Sequence, residues 1–322
     1  MALSDSEVRH LAISLLTAPT ARDKQRKIGA SNLCNGCQHC LASNMMGDMR
    51  DTPMLDRAWG GRTVGTAIHG TMEERMTAAQ DAAQAERTFH DALQYQGSEF
   101  QAQVSEQLLT IGRSNPGALV EYNMSLGTMG TYGEIRSTTD LVLPAQRHGF
   151  DWKGTTKKKS ALMRDFLGQT NFGRKHKDVK LSENEYAKEM VKSEYRVNGY
   201  YGQLQLYGKG LNDNGIKVDR LSIVFISRDD TMWWDNPTSD GYEDASKMRG
   251  VWVLSFDYNE AYATELWDRG LEIWERLEAG EVPADFPSDP NCFPCGIEAR
   301  DSAKTVTPIL KPGPAVQATL AA

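Results

Sequence analysis

The sequence predicts an α/β protein with a mixed central β-sheet flanked by helices. Three observations predict it. A long Ala-, Glu- and Gln-rich stretch over 66–93 has helical composition. Alternating segments at 118–126, 132–143 and 150–154 read as consecutive strands, the last two joined by a turn over 144–149. A helix over 183–211, apolar runs at 221–227 and 251–256, and an amphipathic helix over 258–280 complete the order.

Each element has a local reason. The first 27 residues read as a short helix and a polar lead-in. Residues 31–46 carry a cysteine cluster, with a small helix beginning near Cys40. Gly60, Gly61 and Gly65 suggest a tight approach into the long helix. A second helix is expected over 99–111, broken by Pro116 and Gly117. After the third strand comes a basic segment in which Gly168 and Gly173 suggest a mobile loop. The helix that starts at Glu183 should stop at Asn212, Asn214 and Gly215. Trp267 and Trp274 lie in the last helix. Residues 299–322 contain Pro and Ala without apolar periodicity and read as a disordered tail. The expected organisation is a lead-in (1–27), one domain (28–298) and that tail, with no internal repeat.

The chain has 322 residues, of which 40 % are hydrophobic, enough for a substantial core. No stretch is apolar enough to cross a bilayer, and the first 20 residues lack the basic-then-apolar order of a secretory leader. The expectation is a cytoplasmic protein without a membrane partner. The net charge of −7 argues against a nucleic-acid partner, but the distribution argues for one. Residues 151–180 hold nine Lys and Arg against three Asp, including Lys157-Lys158-Lys159 and Arg174-Lys175-His176-Lys177. Such a stripe attracts phosphates, although a lysine-rich loop on a solvated surface would look the same.

Asp151-Trp152-Lys153 is the most informative stretch. Strand side chains alternate, so Asp151 and Lys153 face one way. Counting outward from the turn at 144–149 brings Asp140 near both. Two carboxylates can share Mg²⁺ or Mn²⁺, and a neighbouring ammonium can orient water or stabilise developing charge. His69, four residues before Glu73 on a helix face, is a candidate metal ligand or partner of an acid. Gln203 and Tyr207 share another helix face and offer an amide and a hydroxyl.

Five cysteines form two groups: Cys34, Cys37 and Cys40 near one end, Cys292 and Cys295 near the other. Two CxxC pairs, Cys37/Cys40 and Cys292/Cys295, make four thiolates that suit zinc or a 4Fe–4S cluster. Cys34 could replace a member of the first pair. Either metal would tie the two chain ends together and contribute to folding.

The order His69, Asp140, Asp151-x-Lys153, Gln203-x-x-x-Tyr207 resembles the RecB-type branch of the PD-(D/E)XK nuclease superfamily. The cysteines resemble the iron–sulfur exonucleases of that branch, CRISPR-associated and phage-borne, and Ile28-Gly29-Ala30-Ser31 before them also resembles phage members. The likeness spans 28–295. It implies a PD-(D/E)XK core and a nuclease using one or two Mg²⁺ or Mn²⁺ ions to trim single-stranded DNA ends. His69, Asp140 and Asp151 map to its metal ligands, Lys153 to its catalytic lysine, and Gln203 and Tyr207 to its QxxxY motif. It also implies a 4Fe–4S cluster. The CRISPR-associated members usually place one cysteine early and three late, whereas here three are early and two late, so the ligand set does not transfer directly. A catalytically weak DNA-binding or recombination accessory protein is the alternative. A homo-oligomer or a recombination partner is compatible with either.

Overall fold

The computed structural model describes residues 28–47, 59–88, 110–168, 181–227, 251–289, 291–292 and 295. The expected lead-in helix, most of the helix expected over 99–111, and the tail over 299–322 lie outside these residues.

Two short helices open the described chain: α1 (Ala30–Leu33) and α2 (Gln38–Met45). The long helix α3 (Trp59–Thr88) follows. Strands β1 (Leu119–Met129), β2 (Gly133–Leu143) and β3 (His148–Thr155) come next, then α4 (Lys157–Phe166) and α5 (Glu183–Asp213). Strands β4 (Arg220–Ser227) and β5 (Val251–Asp257) and helix α6 (Glu260–Glu278) complete the fold.

The five strands form one sheet in the order β1-β2-β3-β4-β5. All neighbours are antiparallel except β3 and β4, which run parallel. A parallel pair needs a crossover, and α4 and α5 supply it. The sheet is therefore mixed and packed by helices, as the order of sequence patterns predicts.

The β1–β2 hairpin contains a bulge. Ser125 pairs with Arg136 and Gly127 with Ile135, so Leu126 has no partner. Gly127 takes φ +131°, and a Cβ there would stand 2.7 Å from the Trp267 ring. Only glycine permits both the backbone and the close approach of α6.

Helix α5 forms the spine of the core. Ser182 and Glu185 cap its start reciprocally. Val197, Tyr201, Leu204, Leu206 and Leu211 are buried along it. A Cβ at Gly210 would meet Leu126 at 2.7 Å, so the missing side chain lets the helix lie close to β1.

Two expectations need correction. The basic segment is not a loop over its first half: Lys157–Phe166 is helical, with Thr156 accepting from the Lys159 N–H as cap. The long helix begins at Trp59, taking in Gly60, Gly61 and Gly65, so His69 lies in its third turn rather than near its start. Glycine weakens a helix by about 1 kcal/mol per residue but does not forbid one. Residues 169–180, including Gly173 and the second basic cluster, lie outside the described chain.

Candidate active site

Helix α3 contacts β1 and β3, which places His69 over the strands that carry the acids. His69 Nδ1 lies 3.0 Å from Asp140 Oδ1 and 3.8 Å from Glu121 Oε1. One ligand atom from each of His69, Glu121 and Asp140 falls within 4.8 Å of the others. The two carboxylates are hard oxygen donors suited to Mg²⁺ or Mn²⁺, and the imidazole nitrogen is a borderline donor that favours Mn²⁺ of the two.

The strand ends explain the convergence. The β2–β3 ladder runs from Leu143↔His148 to Leu141↔Phe150. One residue further, the Asp140 side chain takes over: its Oδ2 accepts from the Trp152 N–H at 2.6 Å. The Thr139 hydroxyl donates to the Phe150 carbonyl at 3.0 Å. Glu121 belongs to the opposite strand, flanked by the pairs Val120↔Leu141 and Tyr122↔Thr139. Its φ is +46°, the left-handed region. A non-glycine residue there stores roughly 1–3 kcal/mol, and such residues gather at functional sites.

Asp151 faces a second group of residues. It is 2 % exposed. Its Oδ2 pairs with Lys153 Nζ at 2.7 Å, without other hydrogen-bond partners. Gln203 Nε2 and the Tyr207 hydroxyl approach Asp151 Oδ1 at 3.5 and 3.4 Å, and the Gln203 amide donates to Tyr207 Oη at 2.5 Å. Both come from α5, four residues apart on one face, as the spacing predicts.

Charge in the site is tightly coupled. Burial pushes the Asp151 carboxyl above the usual carboxylate range; Lys153 opposes this and the Asp140 charge adds to it. For Lys153, burial disfavours the ammonium, but Asp151 and the other nearby groups more than offset it and hold its pKa above the ordinary value. The hydrogen bond to Asp140, aided by Glu121, lifts His69 to about 9 against the effect of burial. Tyr207 is raised, first by burial and then by the Asp151 charge, so its hydroxyl stays protonated and can donate. A buried acid repelled by a neighbouring acid gains from an added cation, so these residues fit a divalent metal.

Thus His69 and Asp140 meet directly, and Asp151 groups with Lys153, Gln203 and Tyr207. Glu121 was not a sequence candidate. Applying the outward count to the β1–β2 hairpin leads almost to it. The bulge at Leu126 shifts that count by one, from Leu141 to Asp140 as its opposite residue.

The cysteines form a separate centre. Cys37 Sγ lies 3.4 Å from Cys295 Sγ, and Cys40 Sγ lies 3.4 Å from Cys292 and 3.2 Å from Cys295. All four are at most 9 % exposed. Cys34 stands apart: its thiol donates to the Ser31 carbonyl at 3.3 Å, and burial pushes it up to about 12.

Fold and site together define an α/β protein with an acid–histidine centre beside a buried aspartate paired with a half-buried lysine. No family model and no curated protein matches the chain. It resembles solved exonuclease structures. A phage-related exonuclease from Haemophilus somnus 129PT is similar at 13 % identity and a TM-score of 0.29, over 64 % of this chain and 82 % of the other. A candidate exonuclease from Eubacterium rectale is similar at 13 % identity and a TM-score of 0.38, over 96 % and 97 %. Among the described residues, no helix is long and apolar enough to cross a membrane.

Proposed function

We propose that this protein is a metal-dependent deoxyribonuclease of PD-(D/E)XK type, acting as an exonuclease on single-stranded DNA ends. The observation that carries the reading is the convergence of His69, Glu121 and Asp140 beside the buried Asp151 and its half-buried partner Lys153. Acids and lysines usually pair on surfaces; here Asp151 is buried beside a second acid, Asp140, and that concentration of carboxylates favours an added cation.

His69, Glu121 and Asp140 would hold Mg²⁺ or Mn²⁺, with Asp151 facing the same space. A divalent ion there polarises a phosphodiester and makes water more acidic. Lys153 presents an ammonium where charge develops on the phosphate. Gln203 and Tyr207 hold Asp151 in place through its other oxygen, which keeps Oδ2 directed at Lys153. The exposed Lys157, Lys158 and Lys159 begin at the end of the strand that carries Lys153. They give the DNA backbone an attractive approach, weakened by salt. The polypeptide thus supplies ion, anion and strand positions on one side of the sheet.

End-labelled single- and double-stranded DNA, incubated with Mg²⁺ or Mn²⁺, tests this. Stepwise shortening of single strands that vanishes with EDTA is expected. In Lys153→Ala, cleavage should disappear while DNA binding at low salt persists. Intact single strands under wild-type protein with Mn²⁺ would sink the hydrolytic reading.

A further inference from the structure

The four clustered sulfurs discriminate between the two metal groups that two CxxC pairs can hold. One ligand sulfur from each of Cys37, Cys40, Cys292 and Cys295 lies within 4.8 Å of every other. Three of the separations are 3.2–3.4 Å. A tetrahedral zinc ion with Zn–S bonds of about 2.3 Å spaces its thiolates about 3.8 Å apart. In a 4Fe–4S cluster each cysteine binds a different iron at a different corner of the cube, so its sulfurs cannot be in contact. The sulfur set therefore fits a single ion and does not fit the cubane that the sequence resemblance implies.

We propose that these four cysteines bind one zinc ion as a closed tetrathiolate centre. The surroundings are those of a structural ion. Cys37 caps the N-terminus of α2 and Cys40 lies in its first turn, so one pair sits where backbone N–H groups favour negative charge. The Asp289 N–H donates to Cys37 Sγ at 3.4 Å, a hydrogen bond that quiets a metal-bound thiolate. Asn35 Oδ1 accepts from both the Cys37 N–H at 3.0 Å and the Tyr195 hydroxyl at 2.5 Å, which anchors the first knuckle to α5. Arg269 from α6 donates to the Leu33 and Asn35 carbonyls at 2.6 and 3.0 Å. All four positions are filled by protein, leaving none for a substrate. Cys34 has no part in the set.

The test does not depend on nuclease activity. The full chain is purified anaerobically and assayed for zinc, iron and acid-labile sulfide, with a visible spectrum. About one zinc per chain, no sulfide and no visible colour are expected. After zinc removal, Co²⁺ titration should give the intense absorption of a tetrahedral thiolate site, reversed by zinc. Cys34→Ser should retain the zinc. A brown protein with about four irons and four sulfides per chain overturns the proposal. So does cobalt that shows no thiolate absorption. Should Cys37→Ser fail to fold, release of wild-type zinc by a thiol-modifying reagent, at about four thiols per ion, gives the same answer.

Discussion

The two candidate metal centres are built in opposite ways. The cysteine centre takes soft donors from two short motifs, each encoded within four residues, and leaves none more than 9 % exposed. The acid centre takes oxygen and nitrogen donors from α3, β1, β2 and β3, leaves His69 and Glu121 nearly a fifth exposed, and holds Glu121 in a strained conformation. The first takes each cysteine pair from local spacing and, as a zinc site, would serve stability. The second depends on strand register and helix placement and, on the proposed reading, would serve chemistry. The first needs the fold only to bring two preformed pairs together; the second needs register and helix placement to bring in each ligand singly.

The largest way to test that contrast is to remove one ligand from the cysteine centre. Cys37→Ser should release the ion and lower thermal stability by several kcal/mol, since ion binding is coupled to folding. Thermal unfolding with metal analysis checks it, and an unchanged midpoint would break the comparison. Next is Lys153→Ala, expected to cut cleavage about 10³-fold with the unfolding midpoint within a few degrees of wild type. Single-turnover kinetics beside calorimetry separate the two effects. A smaller effect is expected of Glu121→Gln, which should weaken Mn²⁺ binding about 10- to 100-fold. Isothermal titration measures it, and wild-type affinity would remove Glu121 from the site.

The smallest effect concerns pH. His69 is raised from its ordinary value to about 9 in the metal-free protein. Its stabilising contribution is complete below about pH 6.5 and fades as pH rises to about 9. The metal-free protein should therefore lose up to about 3 kcal/mol across that window. With Mn²⁺ the trend should reverse, because the ion must displace the His69 proton. Melting curves of wild type and His69→Gln, with and without Mn²⁺, report both slopes.

Much of this was legible in sequence, and the reasons are local. The juxtaposition of Asp140, Asp151 and Lys153 follows from counting because the β2–β3 hairpin turns over Pro144–Gln146 with a regular register. Gln203 and Tyr207 were found because a helix repeats every 3.6 residues. Glu121 was hidden by the bulge, which is a tertiary accommodation to Trp267 rather than a pattern in β1. The α4 helix is hard to read in sequence because three lysines in its first turn oppose the helix dipole and resemble a solvated loop. Thr156, a good cap, was the overlooked signal. Cys34 matched the CxxC spacing as well as its neighbours do, and only its burial against α5 sets it apart.

The unpaired Leu126 has a genetic consequence. Deleting that single codon would leave every acid, the histidine and the lysine intact in the text of the gene. It would also bring Ser125 directly before Gly127, leaving Ser125 opposite Arg136 and Glu121 opposite Asp140 in a ladder without the bulge. A lineage could therefore lose that codon and keep its acids in register.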